Sequence, residues 1–122
     1  MAYPKVRVLS EARVNAYTTS LGATPVACYV NMPLKGYITK IAVCAQGTIT
    51  TVDCTITVAV NGTTNAALGG TLPVAGAAAG ELATWVPTTN VFVNEDDVLT
   101  FTPSGASGAS IAGMFTVSVR EA

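Results

Sequence analysis

Strict alternation of apolar and polar side chains is the feature that most constrains this chain. Asp53 to Val60 reads Asp-Cys-Thr-Ile-Thr-Val-Ala-Val, which sets Cys54, Ile56, Val58 and Val60 on one face and Thr55 and Thr57 on the other. A repeat of two belongs to a half-buried β-strand, because a helix would scatter these side chains around its axis. Met114 to Glu121 alternates as cleanly, with Phe115, Val117 and Val119 inward and Thr116, Ser118 and Arg120 outward. Val98 to Thr102 sets Leu99 and Phe101 against Thr100 and Thr102, preceded by the turn Asn94-Glu95-Asp96-Asp97 and ended by Pro103-Ser104-Gly105. Asn61-Gly62 follows the first of these strands at once, and that dipeptide accepts the positive backbone angles of a two-residue hairpin turn.

Tyr37 to Ala45 is rich in β-branched and aromatic residues but apolar on both faces, with Tyr37, Ile41 and Val43 on one and Ile38, Ala42 and Cys44 on the other. That pattern predicts a strand covered on both sides. Pro25 to Val30, Ile49 to Val52, Leu82 to Val86 and Val91 to Val93 supply further short strands, and Lys5 to Leu9 another, for seven to nine in all. Ser10 to Tyr17 reads as the one helix-like piece, with Ser10 as its cap and Glu11 in its first turn. Ala75 to Gly80 and Ser104 to Ser110 read as exposed loops, too short to be linkers between domains. With 122 residues the chain has the size of one domain. The expected fold is all-β: a single antiparallel β-sandwich over residues 17–122, preceded by an extended N-terminal arm over residues 1–16. A jelly roll is preferred over an immunoglobulin-like sandwich, whose cysteine and tryptophan landmarks are missing.

Charge excludes several classes of partner. Charged residues make up 11% of the chain against 50% hydrophobic, so the surface must be built largely from Thr, Ser, Gly, Ala and Asn. Six basic and seven acidic residues leave a net charge of −1, which provides no broad field to hold nucleic acid or anionic lipid. The 27 residues from Cys54 to Gly80 carry no charge, but Asn61-Gly62, Gly69-Gly70, Pro73 and Gly76 break them with turn residues, so no membrane span is expected. No apolar run of signal-peptide length follows Met1, and the expectation is a protein made and kept in a cytoplasm.

Catalytic chemistry has little to work with. The chain has no histidine, the commonest general base and metal ligand, and no G-x-S-x-G elbow to activate a serine. Nothing singles out Lys35 or Lys40 as a base, and the expectation is a protein that is not an enzyme and carries no cofactor. Cys28, Cys44 and Cys54 are odd in number and lack C-x-x-C spacing, so they encode neither a closed disulfide framework nor a zinc site. They read as buried free thiols, with a Cys44 to Cys54 pair on adjacent strands as the alternative. Glu95, Asp96 and Asp97 could ligate calcium through oxygen, but consecutive acids lack the alternate spacing of such loops and read as a solvated turn. Trp85, the lone tryptophan, reads as a core or subunit-interface aromatic ahead of a sugar-stacking platform. Lys5, Arg7 and Arg13 place half of the basic residues in the first 13 positions, with Tyr3 among them and beside a single acid, Glu11. Such an arm could dock on an acidic protein surface or be an ordinary solvated first strand.

So few charges on so apolar a chain favour an oligomer, since wide uncharged patches usually mark subunit contacts. The runs Gly36-Tyr37-Ile38-Thr39-Lys40-Ile41-Ala42-Val43, Ala59-Val60-Asn61-Gly62 and Asn94-Glu95-Asp96-Asp97-Val98-Leu99-Thr100-Phe101 resemble jelly-roll decoration, or cement, proteins of tailed bacteriophage capsids. The resemblance runs from Gly36 to Arg120 and rests on texture, with no diagnostic motif. It implies a homotrimer on the virion exterior, synthesised in the host cytoplasm, that bridges subunits of the major capsid protein and stabilises the shell. Tyr3, Lys5, Arg7 and Arg13 would then be the capsid-docking residues. The competing expectation is a glycan-binding sandwich of a phage fibre or adhesin, which an aromatic row on one exposed face would favour.

Overall fold

The computed structural model of the protein describes residues 10–49, 53–73, 80–104 and 110–122. Within them run β1 (Glu11–Thr18), β2 (Cys28–Asn31), β3 (Gly36–Ala45), β4 (Cys54–Val60), β5 (Thr63–Thr64), a 3-10 turn (Ala66–Leu68), β6 (Gly70–Leu72), β7 (Leu82–Trp85), β8 (Phe92–Val93), β9 (Val98–Pro103) and β10 (Gly113–Glu121). The first sheet has the order β1-β10-β3-β7, with β8 also on β3, and the second has the order β2-β9-β4-β5, with β6 also on β4. All pairings are antiparallel. From β1 to β4 the chain changes sheet at every step, and β7, β9 and β10 alternate again. This is the strand order of a jelly-roll sandwich.

The alternating segments place the core. Cys54, Ile56 and Val58 of β4 point inward while Thr55 and Thr57 face solvent. Leu99 and Phe101 of β9 and Phe115, Val117 and Val119 of β10 are buried in the same core, and the rings of Phe101 and Phe115 stack with centroids 4.6 Å apart across the sandwich. Each such side chain, fully removed from water, contributes roughly 1.5–3 kcal/mol. The hairpin at Asn61-Gly62 forms as the dipeptide predicts: Val60 pairs with Thr63, and φ is +49° at Asn61 and +86° at Gly62. Only residues that tolerate the left-handed region fit both positions.

Three expectations are corrected. Ser10 to Tyr17 is not a helix, because β1 pairs along its whole length with β10, from Glu11 opposite Arg120 to Thr18 opposite Gly113. Inward Ala12, Val14, Ala16 and Thr18 alternate with outward Glu11, Arg13, Asn15 and Tyr17, so period two overrides the capping signal. Residues 11–16 of the expected arm therefore belong to the sandwich, while residues 1–9, including the strand expected at Lys5 to Leu9, lie outside the described residues. In β3 the faces differ from simple alternation: Ile38, Ile41, Val43 and Ala45 are inward. The register shifts between Ser118, opposite Lys40, and Val119, opposite Ile38, so Thr39 is one residue extra. This β-bulge changes the phase of the strand and accounts for its two apolar faces. For the cysteines, the preferred reading of free thiols holds for all three and the alternative Cys44 to Cys54 pair fails, since the two lie in different sheets; the correction is that Cys44 is only half-buried. Ile49 is buried, but the rest of the strand expected at Ile49 to Val52 lies outside the described residues.

The sides of the sandwich are closed by specific contacts. Trp85 of β7 leans across to the second sheet, its Nε1 donating to the carbonyl of Leu68 at 2.8 Å and its ring lying over Gly70 of β6. At the other side the Thr18 hydroxyl donates to the carbonyl of Val26, just ahead of β2. One end of the molecule gathers the start of β1, the end of β10, the β2–β3 loop and the two turns at 61–62 and 94–97. Backbone bonds from Asp96 to Met32 and from Asn61 to Val98 tie these segments together, as do those from Glu121 to Ser10 and from Ala122 to Lys35.

Candidate functional site

The two outer faces of the sandwich differ in chemistry. The strands of the second sheet contain no charged residue, and its outward side presents Thr55, Thr57, Thr71 and Thr102. The outer face of the first sheet is basic and aromatic. Cross-strand register sets Arg13, Ser118 and Lys40 side by side on β1, β10 and β3. The next row toward the end of the molecule is Glu11, Arg120, Tyr37 and Phe92. On the far side of the basic row comes Asn15, Thr116, Ala42 and Thr84, then Tyr17, Met114, Cys44 and Leu82. Three of the six basic residues of the chain thus share one face with a single acid. Tyr17, Tyr37, Leu82 and Phe92 are all exposed there, and Tyr37 meets Phe92 edge-to-face with centroids 5.5 Å apart. Aromatic residues, Met and Arg are the side chains enriched in protein interfaces.

Between the rows lies a depression of about 140 Å³ lined by Arg13, Lys40, Ala42, Leu82, Thr116 and Ser118. Its floor is made of short side chains, which leaves room between the two cations. Thr116 donates its hydroxyl to Asn15 Oδ1 at 2.9 Å. The bulge brings Thr39 onto Ser118, donating to its carbonyl at 3.3 Å. A second groove, of about 380 Å³, runs beside β4 along Thr55, Thr57, Thr64, Asn65, Gly69 and Thr71, and is neutral throughout.

The sequence-predicted residues are distributed unevenly. Arg13 is exposed on the basic face, while Tyr3, Lys5 and Arg7 lie outside the described residues. Trp85 is half-buried against the core and closes the sandwich, so its ring is not a free platform. The acidic turn has a structural use. Asp97 accepts from Asn61 Nδ2 at 3.0 Å and from the Asn94 backbone at 2.9 Å, and these bonds hold its carboxyl below the ordinary aspartate range. Among the described residues, no three His, Cys, Asp or Glu side chains converge as metal ligands. No helix among them is long and apolar enough to cross a membrane. Lys40, Ser118, Arg120, Tyr37 and Phe92 were not singled out as a group from sequence. They come from three segments between about 25 and 80 residues apart, and only the register joins them.

No protein-family model matches the chain. No curated protein matches it either. Among solved structures it is similar to a chain of the acidic stable capsid structure of Helicobacter pylori bacteriophage KHP30, with a TM-score of 0.53, 15% identity and 93% of each chain covered. It is also similar to the crystal structure of FLHE, with a TM-score of 0.50 and 12% identity, over 91% of this chain and 98% of that one. At such identities the likeness is one of fold, and a fold hosts many functions.

Proposed function

We propose that the protein is a structural component of a bacteriophage head, a decoration protein that binds the outside of the shell as a homotrimer and bridges major capsid subunits. The observation that carries this reading is the likeness, over 93% of both chains, to a chain of a phage capsid structure. The chemistry of the surface supports it: one neutral threonine face and one basic and aromatic face, the latter rich in the side chains that protein interfaces favour. Bridging needs no reaction. An oligomer engages several shell subunits at once, so modest contacts gain from effective concentration, and each bridge opposes outward pressure. Arg13, with Lys5 and Arg7 ahead of it, would supply charge complementarity and on-rate, and Tyr3 an aromatic contact.

Co-sedimentation with purified capsids tests this directly. The full chain is expected to pellet with shells and to raise their resistance to heat or osmotic shock. A chain lacking residues 1–9 keeps β1 intact and is expected to bind with reduced occupancy. Failure of the full chain to bind any shell, with retention on a glycan array, would replace the reading with the adhesin alternative. That alternative draws on the exposed Tyr37–Phe92 pair, whose interplanar angle of 72° gives an edge-to-face contact instead of one flat platform.

A further inference from the structure

The depression on the basic face has the features of a socket for a carboxylate. Arg13 and Lys40 flank Ser118 one strand spacing to either side, about 4.8 Å each way, so both cationic groups can converge above it. Neither cation has an ion pair or hydrogen bond among the described residues. Ser118 is 4% exposed, yet it lines the depression and its hydroxyl has no hydrogen-bond partner among the described residues. The residue is deep but its hydroxyl reaches the depression, since no buried side-chain oxygen among the described residues lacks a partner, so it is open to donate to an acceptor seated between the two cations. An Arg fork matches the two oxygens of a carboxylate, and Lys and Ser can donate to its remaining lone pairs. The walls say more about the occupant. Leu82 is 59% exposed beside the socket, and Tyr37 and Phe92 stand one row away, so a small anion would leave this apolar surface wet where a protein would cover it.

The same chain carries a carboxylate of the matching form. Glu95 sits at the tip of the Asn94–Asp97 turn, exposed and without a hydrogen bond or ion pair among the described residues. The turn is fixed from beneath: Asp97 bonds to Asn94 and Asn61, and Asp96, at φ +69°, meets Asn31 Nδ2 at 3.5 Å. A tip held in this way loses little freedom on docking. It cannot fill its own socket, because Lys40 lies four residues along β3 from the end where the turn sits, roughly 13 Å at the rise of a strand.

We infer that the Arg13–Ser118–Lys40 socket of one copy receives the Glu95 tip of a second copy of this chain. The contact joins different patches, so it is heterologous and closes into a ring where the rotation between copies allows. The inference rests on the oligomeric part of the function proposed above and is independent of any shell.

Light scattering on the purified full chain, without capsids, tests it. At about 50 mM salt the wild-type protein is expected at a multiple of 12.4 kDa, moving toward the monomer at about 1 M as the charges are screened. Glu95→Lys alone, and Arg13→Glu with Lys40→Glu, should each give the monomer mass with an unchanged circular dichroism spectrum. Mixed in equal amounts, the two variants should form alternating assemblies heavier than the monomer, because the tip of each meets a socket of opposite charge only on the other, while a closed ring of three, which cannot alternate, should not return. A monomeric wild-type protein would overturn the inference. So would variants that keep the wild-type mass, or a mixture that stays monomeric. Co-sedimentation of Glu95→Lys with capsids reads the shell-binding proposal separately, because Glu95 is not among the capsid-docking residues.

Discussion

Asn61 and Asp97 join two turns that lie 36 residues apart in the chain. Asn61 Nδ2 donates to Asp97 Oδ1 at 3.0 Å, while Asn61 Oδ1 accepts the backbone N–H of Val98 at 2.9 Å. The apex of the β4–β5 hairpin is thereby locked to the entrance of β9, and the dipeptide that makes the hairpin possible also holds the acidic turn. Asn at position 61 meets two demands, a positive φ and a paired donor and acceptor.

Acid should loosen this lock. The bonds from Asn61 and Asn94 favour the ionised carboxylate of Asp97, so its folded pKa lies below its ordinary value of 3.8. The stabilisation is present in full above that ordinary value and is lost as pH falls through the lower, folded one. Urea midpoints measured from pH 6 down to pH 2 should fall more steeply for the wild type than for Asp97→Asn across the acid limb. Parallel curves would show that the carboxylate is not coupled to folding.

The stacked pair Phe101 and Phe115 joins the middle strands of the two sheets, and both rings are fully buried. Phe115→Ala removes one ring from a closed core and should cost about 3–5 kcal/mol in urea unfolding. A cost below about 1 kcal/mol would be that of a surface position and would contradict the packing.

Trp85 offers a spectroscopic reading of the sandwich edge. A Cβ at Gly70 would come within 2.2 Å of the indole, so Gly70→Ala must push the ring outward. Overpacking of this kind costs about 1–3 kcal/mol, and tryptophan emission should shift to the red while the fold is retained. Trp85→Phe removes the bond to the Leu68 carbonyl and should cost about 1 kcal/mol from that bond alone. Unchanged emission in Gly70→Ala would mean that the ring does not lie on the glycine.

The thiols should separate by accessibility. Burial pushes Cys28 up to about 11, and Cys54 is sealed in the core with its Sγ 3.5 Å from the Leu21 carbonyl. Cys44 is half-buried on the outer face of the first sheet. A thiol reagent at pH 8 should therefore modify one cysteine of the native protein, Cys44, and all three after denaturation, because the thiolate is the reactive form and needs access. Rapid modification of Cys28 in the native state would contradict its burial.

What could be read from the sequence follows the range of the interactions involved. Period two placed the inward residues of β4, β9 and β10, and Asn61-Gly62 placed the hairpin, because both depend on neighbours within a few residues. β1 was misread because Ser10 and Glu11 mimic a helix start, while its weak alternation of Ala12, Val14 and Ala16 gains meaning only against β10. The basic face was hidden for the same reason: Arg13, Lys40 and Ser118 become neighbours through register alone. Tyr37 was assigned to the face of Ile41 because a bulge has no signature in a run of apolar residues.

That bulge leads to a test of register by deletion. Thr39 is the extra residue between Ile38, which faces Val119, and Lys40, which faces Ser118. Removing Thr39 leaves Tyr37 outward, Ile38 inward, Lys40 outward and Ile41 inward, a regular alternation with every pairing to β10 kept. Thr39 deletion should therefore fold cooperatively, losing about 0.5–1.5 kcal/mol with the bond from its hydroxyl to the Ser118 carbonyl. Removing Ala42, three positions on, can be absorbed at the bulge only by setting Thr39 opposite Ser118 and turning Lys40 into the core and Ile41 out to solvent, since one residue of shift exchanges the faces of a strand. Ala42 deletion should abolish the cooperative transition. If both deletions unfold the protein, the bulge is not a spare residue but a required bend.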